Sequence, residues 1–273
     1  MTQLINPTIL IVGLGKMGGA LVNGWLAQDV DSKKIHVVEP NPTQVMGLNC
    51  KTLNVYQGPR EISINFFPDI ILFAIKPQIM DMVVPEYERF KEKSTYISIA
   101  AGKNIAFFES LLGSDSSIIR TMPNTPASIG EGITIACGNR NTSQKCKNYF
   151  FYLFEALGQT EWINDENLMD AVTAVSGSGP AYVFLLAETL ANAGEKAGLD
   201  KNMAQKLSIQ TIIGSSLMLR SSQENPSVLR NNVTSPGGTT EAALSILMNE
   251  KGLNSLICEA VETAIKRSKA LSN

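Results

Sequence analysis

The stretch Thr8-Ile9-Leu10-Ile11-Val12-Gly13-Leu14-Gly15-Lys16-Met17-Gly18 decides the fold of the first part of the chain. Its first five residues are apolar or β-branched and too few for a helix, which predicts a buried strand from Thr8 to Val12. Glycines in Gly-x-Gly-x-x-Gly spacing follow, and Ala20 to Ala27 shows helical spacing. A strand, a glycine-rich turn and a helix in this order are typical of a dinucleotide-binding motif. A purely structural turn is the alternative, because glycine triplets also occur in ordinary turns.

Runs typical of strands alternate with helical runs as far as Trp162. The predicted strands after the first are Ile35 to Val38, Asp69 to Ile75, Tyr96 to Ala100, Ser117 to Met122 and Gly132 to Cys137, and helical stretches include Gln78 to Lys91 and Ser143 to Leu157. This alternation predicts an α/β fold with a parallel, doubly wound sheet, a Rossmann domain.

The pattern changes after Trp162. Spacing of three to four predominates in Asn164 to Val175, Pro180 to Ala197, Asp200 to Arg220, Thr239 to Asn249 and Leu253 to Leu271. We therefore expect two domains, a dinucleotide-binding domain over residues 1–163 and an all-helical domain over residues 164–273. The helices Ala181 to Leu190 and Ser208 to Leu219 are apolar around much of their circumference, which predicts a dimer.

Composition excludes several classes of function. The chain has 273 residues, 44% hydrophobic and 18% charged, with a formal net charge of −2. Basic residues are dispersed, so we expect no nucleic-acid partner, and no apolar stretch reaches the roughly 18 residues of a membrane span. Cys50, Cys137, Cys146 and Cys258 lack metal-ligand spacing. We expect no metal and a reducing, cytoplasmic location.

Glu39 ends the second predicted strand, about 20 residues after the glycines, where an acidic side chain bonds the ribose hydroxyls of a dinucleotide. The same carboxylate repels a 2′-phosphate. Asn41 and Thr43, by contrast, are able to bond such a phosphate. These residues favour NADH and leave NADPH open.

Further candidates follow later strands, at the edge where ligands of open α/β sheets bind. They are Ala74, Lys76, Pro77, Ala100 and Asn124, the last within Met122-Pro123-Asn124-Thr125-Pro126. Lys76 is equally well interpreted as a surface charge at a strand end, and the proline-rich loop as a stiff turn.

Candidate proton donors are scarce. The chain has one histidine, His36, inside a predicted strand. Reduction of a carbonyl needs an acid to protonate the alkoxide, whereas hydride addition to a protonated imine gives a neutral amine directly. Imine reduction is therefore favoured, and Tyr182 and Lys76 keep carbonyl reduction open.

Two turns of small residues precede predicted helices, Ser176-Gly177-Ser178-Gly179-Pro180-Ala181-Tyr182 and Ser235-Pro236-Gly237-Gly238-Thr239-Thr240-Glu241. Glycine lets a ligand approach the backbone, and the free N–H groups of a helix start attract anions. Such a turn can hold a small carboxylate, for example against the N–H groups of Gly238 and Thr239. Ordinary helix capping is the alternative interpretation.

Together, these motifs resemble those of pyrroline-5-carboxylate reductases over nearly the whole chain. The resemblance implies a Rossmann domain and a helical dimerisation domain, reduction of 1-pyrroline-5-carboxylate to L-proline with NADPH or NADH, and assembly into dimers and often decamers. It implies that the pyrophosphate is held by Gly13, Leu14, Gly15, Lys16, Met17 and Gly18. Lys76, Pro77 and Asn124 would line the nicotinamide half of the cofactor site.

The resemblance also implies a substrate site. The substrate carboxylate would be held by Ser176, Gly177, Ser178, Gly179, Gly237, Gly238 and Thr239. Thr240 matches the family threonine beside the ring nitrogen, and with Lys76 it is a candidate catalytic residue. The chain departs from many relatives at Glu39 and at Arg230-Asn231.

Two alternatives remain open at this point. One is a β-hydroxyacid dehydrogenase, which needs a catalytic lysine in the second domain. Lys196 is the nearby candidate, although a solvated charge at a helix end explains it more simply. The other alternative is a non-catalytic dinucleotide-binding protein.

Overall fold

The computed structural model describes residues 6–46, 48 and 53–272. Contacts between residues divide the chain into two compact units. The first unit runs to Gly177 and takes up the chain again from Ala264, and the second is Ser178–Thr263.

An eight-stranded sheet forms the middle of the first unit, in the order β3-β2-β1-β4-β5-β6-β7-β8. The strands are β1 (Ile9–Val12), β2 (Ile35–Val38), β3 (Asn54–Tyr56), β4 (Ile70–Phe73), β5 (Thr95–Ser98), β6 (Ser117–Met122), β7 (Gly132–Gly138) and β8 (Gly158–Trp162). Neighbouring strands from β3 to β6 are parallel, which confirms the predicted α/β fold. The sheet is not parallel throughout, because β7 is antiparallel to β6 and β8 follows the direction of β7.

Helical segments cover both faces of this sheet. The α-helices of the first unit are α1 (Lys16–Ala27), α2 (Pro42–Met46), α3 (Met80–Val83), α4 (Ile105–Leu112), α5 (Gln144–Phe154) and α6 (Met169–Val172). The 3₁₀ segments are Ser32–Lys34, Pro59–Glu61, Pro77–Ile79, Val84–Phe90, Thr125–Ile129, Glu155–Leu157 and Glu166–Leu168, and Thr173–Gly177 is a π-helical turn.

The hydrophobic core lies in two layers, one on each face of the sheet. Alternate residues of β1 face opposite layers, as the twofold period of a strand requires: Ile9 and Ile11 belong to one cluster, Leu10 and Val12 to the other. Burial on both faces explains why this strand is an unbroken apolar run.

The second unit is entirely helical, as predicted. It holds α7 (Gly179–Lys196), α8 (Lys201–Ser221), α9 (Pro226–Asn232), α10 (Thr239–Leu247) and the larger part of α11 (Leu253–Ser272). A Cβ on Gly194 of α7 would lie 3.3 Å from the Cβ of Ala204 of α8, so glycine permits close packing of these two helices. None of the helices in the described ranges is long and apolar enough to cross a membrane.

Strands end at Trp162, beside the sequence-based boundary, yet the next segment packs with the first unit. Met169 is fully buried in a core cluster of that unit. Glu166 pairs with Arg120 of β6, with Oε1 2.9 Å from Nη1. The two compact units therefore divide after Gly177, and a domain boundary after residue 163 stays a prediction.

Candidate functional site

The glycine motif forms the turn between β1 and α1, and its glycines serve different purposes. Gly13 has φ +95°, and a Cβ there would lie 2.7 Å from Cγ2 of Ile75. A Cβ on Gly18 would overlap the carbonyl oxygen of Gly13. A Cβ on Gly15 would have nothing within 4 Å. Gly13 and Gly18 are thus required by the fold, whereas the open side of Gly15 leaves room for a ligand.

The start of α1 offers backbone N–H groups to an anion. Gly15 is the N-cap, and no side chain caps this helix end. The helix runs for 12 residues, so its dipole adds positive potential at this end. Lys16 is exposed, whereas Leu14 is buried in the core and Met17 packs against it. Leu14 therefore offers a ligand only its backbone, whereas the side chain of Met17 is partly exposed.

A cleft of about 380 Å³ opens beside this turn. Its walls come from the carboxyl ends of neighbouring strands, the place where open α/β sheets bind ligands. The cleft unites six of the predicted cofactor-binding residues: Gly13, Gly15, Glu39, Asn41, Ala74 and Lys76. The buried hydroxyl of Tyr87, another lining residue, has no hydrogen-bond partner among the described residues. This glycine-lined, partly polar cleft fits a dinucleotide.

The carboxylate of Glu39 is bonded to the backbone on both sides. Its Oε2 accepts the N–H of Leu14 and its Oε1 accepts the N–H of Asn41, each at 2.8 Å. The side chain of Asn41 accepts the N–H of Thr43 at 3.1 Å and its hydroxyl at 2.7 Å. Glu39 therefore ties the end of β2 to the glycine turn.

The residues after β4 follow the same edge of the sheet. The N–H of Ala74 donates to the carbonyl of Val12 at 2.8 Å, which extends the pairing of β1 and β4. Lys76 is exposed and caps the 3₁₀ helix in which Pro77 is the first residue. Its ammonium group can thus reach a ligand in the cleft.

Ala100 and Asn124 lie outside the set of residues lining this cleft. Ala100 is 3% exposed and belongs to a core cluster, so its side chain is not available to a ligand. The Oδ1 atom of Asn124 accepts the N–H of Ile133 at 3.0 Å, which ties the proline-rich loop to β7. A cofactor role for either residue stays a prediction.

The turn of small residues beginning at Ser176 straddles the division between the units. Ser176 and Gly177 end the π-helical turn, a rare conformation that is frequent at functional sites. The hydroxyl of Ser176 is buried and has no hydrogen-bond partner among the described residues, so its hydrogen-bonding capacity is unsatisfied. Ser178 is the N-cap of α7, and Gly179 is its first residue.

The second turn of small residues opens α10, and two of its backbone N–H groups are already bonded. The N–H of Gly237 donates to Oε2 of Glu241 at 2.7 Å, and that of Gly238 donates to the carbonyl of Ser235 at 3.0 Å. In this wholly described segment, the N–H groups without an acceptor are those of Ser235, Thr239, Thr240 and Glu241, of which the last three belong to the first turn of α10. An anion at this helix start would therefore meet Thr239 and Thr240 rather than Gly238.

Comparison with known proteins identifies the family. Residues 8–102 match the family model "NADP oxidoreductase coenzyme F420-dependent" and residues 166–271 match "Pyrroline-5-carboxylate reductase dimerisation". A pyrroline-5-carboxylate reductase of Pseudomonas aeruginosa is 36% identical over 98% of this chain and 97% of its own length. That of Synechocystis is 37% identical over 96% of this chain and 97% of its own. The chain belongs to the pyrroline-5-carboxylate reductase family.

Solved structures of this reductase family agree over the full length. The structure from Coxiella burnetii has a TM-score of 0.91 at 33% identity and covers 98% of this chain and 100% of its own. The Plasmodium falciparum structure, solved with NADP bound, has a TM-score of 0.83 at 35% identity. It covers 98% of this chain and 99% of its own. A prephenate dehydrogenase of Aquifex aeolicus, at 15% identity and a TM-score of 0.55, is similar in fold alone.

Several residues that line the cleft of this reductase were not predicted from the sequence. Gln57, Gly58 and Pro59 line it after β3, and Ile79, Glu86 and Tyr87 line it after β4. The pair Gly58-Pro59 is a turn signal that marks the end of a strand. Burial raises the pKa of Tyr87, so its hydroxyl stays protonated and can donate.

His36 and the described cysteines are not among the residues that line the cleft. Nδ1 of His36 lies 3.0 Å from the hydroxyl of Tyr56, and burial lowers the pKa of His36. Cys137, Cys146 and Cys258 are free thiols, and Cys50 lies outside the described residues. No group of His, Cys, Asp and Glu able to hold a metal ion occurs within the described ranges.

Proposed function

We propose that this chain reduces 1-pyrroline-5-carboxylate to L-proline with a hydride from NADPH or NADH, the last step of proline biosynthesis. The observation that carries the proposal is the length of the similarity. Relatives with this activity in their names match 98% of the chain, including both the glycine-lined cleft and the helix start at Ser235 to Glu241.

The first unit would bind the dinucleotide. N–H groups at the start of α1 take the pyrophosphate beside the open face of Gly15. Glu39 and Asn41 bind the adenosine ribose, and Lys76, with Ala74, Pro77, Ala100 and Asn124, forms the nicotinamide half. When bound, the reduced nicotinamide supplies the hydride.

The turns of small residues would bind the substrate. The unbonded N–H groups of Thr239 and Thr240 hold its carboxylate, because the positive end of α10 attracts an anion. The unpartnered hydroxyl of Ser176 supplies a further donor, and the adjacent Gly177, Ser178 and Gly179 leave the backbone accessible. The hydroxyl of Thr240 holds the ring nitrogen. A protonated imine needs no further acid, which agrees with the absence of a histidine from the cleft lining.

Assembly and location complete the proposal. The second unit forms the seam of a homodimer, since 21 of its large apolar side chains, among them Phe184, Leu185 and Leu186, are exposed in the single chain. Dimers assemble further into decamers. We place the enzyme in the cytoplasm, without nucleic-acid or membrane partners, because its charge is balanced and its described cysteines are unpaired.

A substrate comparison tests the proposal. The purified protein is given NADH or NADPH with pyrroline-5-carboxylate, and separately NAD with hydroxyisobutyrate, while the absorbance of the reduced nicotinamide is followed. We expect the reduced nicotinamide to be consumed in the assay with pyrroline-5-carboxylate. We expect no change in absorbance in the assay with hydroxyisobutyrate. Turnover of hydroxyisobutyrate would indicate a β-hydroxyacid dehydrogenase, and nucleotide binding without turnover of either substrate would indicate a non-catalytic protein.

A further inference from the structure

Both oxygens of the Glu39 carboxylate are bonded to backbone N–H groups, those of Leu14 and Asn41, at 2.8 Å. Hydrogen bonds to a charged acceptor are among the stronger ones in proteins. A carboxylate has about four lone-pair positions, and these two bonds use half of them. The remaining positions can accept two further hydrogen bonds from a ligand.

The two backbone anchors of Glu39 are themselves held in place. Leu14 is 2% exposed in the core, and the preceding Gly13 donates its N–H to the carbonyl of Val38 at 2.9 Å. Asn41 is fixed by its two bonds to Thr43. The carboxylate therefore cannot turn away from the cleft without breaking both bonds or moving the glycine turn.

The side chains that line the cleft carry a net negative charge. Among the residues lining the cleft, Glu39 and Glu86 are acidic, and the single cation is Lys76, which follows a different strand, β4. Arg60 is exposed on the nearby segment Pro59–Glu61, next to the opposite charge of Glu61, and does not line the cleft. Within the described residues, no basic side chain lines the cleft at the end of β2. The exposed Lys16, at the start of α1, lines a neighbouring pocket with Gly15 and Gln44.

We propose that the tethered Glu39 excludes a 2′-phosphate and makes NADH the preferred cofactor of this chain. The ribose of NADH has two vicinal hydroxyls, which match the two acceptor positions left on the carboxylate. The ribose of NADPH instead carries a phosphate of up to about two negative charges. This inference rests on the proposed function, because it chooses between the two cofactors allowed there.

Nucleotide binding, measured by calorimetry without substrate, tests this choice. Adenosine 5′-monophosphate and adenosine 2′,5′-bisphosphate differ only in the 2′-phosphate, and NADH and NADPH form a second pair. We expect the wild-type chain to bind the member without the phosphate about tenfold more tightly or better, the effect of one partly screened charge repulsion. Glu39→Gln should bring the two dissociation constants of each pair closer together. Glu39→Ser, a second variant with a shorter side chain, should do the same.

Asp31→Asn is the matched control. Asp31 lies before β2, at the opposite end of that strand from Glu39, and its carboxylate also accepts a backbone N–H, that of Lys33 at 3.0 Å. This variant should keep the wild-type ratio. Equal wild-type affinity within each pair, or a ratio unaffected by Glu39→Gln and Glu39→Ser, would overturn the proposal and leave the reductase function standing. Failure to bind any of the four nucleotides would overturn both.

Discussion

The carboxylate of Glu241 accepts the N–H of Gly237 at 2.7 Å and closes the turn that opens α10. Gly237 has φ +70°, a conformation that costs a residue with a Cβ about 1 kcal/mol or more. The turn is therefore built from a left-handed glycine and an acidic residue of the first helical turn. Its shape decides where the free N–H groups of Thr239 and Thr240 lie.

Gly237→Ala should raise the KM for pyrroline-5-carboxylate by about fivefold or more, because roughly 1 kcal/mol of strain would distort the turn. The dissociation constant for the nucleotide should stay unchanged. Gly198→Ala is the control, since Gly198 also has positive φ, +101°, and lies between α7 and α8. Gly198→Ala should lose a similar amount of stability and keep the wild-type KM. A wild-type KM in folded Gly237→Ala would remove this turn from the substrate site.

Thr240→Val should lower kcat/KM by about 5-fold to 150-fold, the loss of a hydrogen bond of 1 to 3 kcal/mol in the transition state. Thr240 does not cap its helix, since the N-cap is Gly238 and no side-chain cap bond is made. The melting temperature should accordingly change little. Ser245→Ala removes a hydroxyl from the same helix, one bonded to the carbonyl of Ala242, and should leave kcat/KM intact. Full activity of Thr240→Val would exclude Thr240 from catalysis.

Gly15→Ala and Gly18→Ala should separate ligand binding from folding. A Cβ on Gly15 contacts nothing within 4 Å, but alanine is less favourable than glycine at this N-cap, so the variant should lose no more than about 1 kcal/mol of stability. It should bind nucleotide roughly tenfold more weakly, because the Cβ occupies the side left open for the ligand. A Cβ on Gly18 overlaps the carbonyl of Gly13, so that variant should lose stability. Urea unfolding and nucleotide titration measure the two effects. Unchanged nucleotide affinity in Gly15→Ala would place the pyrophosphate elsewhere.

Strands buried on both faces were predictable from the sequence. The ranges of β2 and β6 agree with their apolar runs, and β1 differs by one residue at its start. β3 is only three residues long and β8 is half-exposed, so neither has an apolar run to mark it. The reversal of β7 follows from its short connection to β6, because a parallel pair needs a long crossover.

The candidate site was predictable at its backbone positions and less so at its side chains. Glycine spacing identified the turn at Gly13, because the conformation itself requires glycine there. Periodicity could not reveal that the side chain of Ala100 faces the core, since the residue lies just beyond a strand end. Nor did it reveal that Gly238 uses its N–H within the turn, which depends on the folded backbone.

The wild-type chain should sediment as a dimer or larger at micromolar concentration. Within Ser178–Thr263, which the structure describes completely, Ala204 is the buried hydrophobic residue, and large apolar side chains are exposed. Phe184→Asp, at a side chain 67% exposed, should dissociate the assembly. Met82→Asp, at a similarly exposed position (70%) in the first unit, should not. A folded, active wild-type monomer would contradict the expected dimer interface.

Transfer of a labelled hydride tests the proposed reductase activity most directly. The protein is incubated with pyrroline-5-carboxylate and NADH deuterated at the transferable position of the nicotinamide, and the product is analysed by mass spectrometry. We predict L-proline carrying one deuterium at the ring carbon that was double-bonded to nitrogen. Absence of L-proline, or L-proline without the label, would contradict the account.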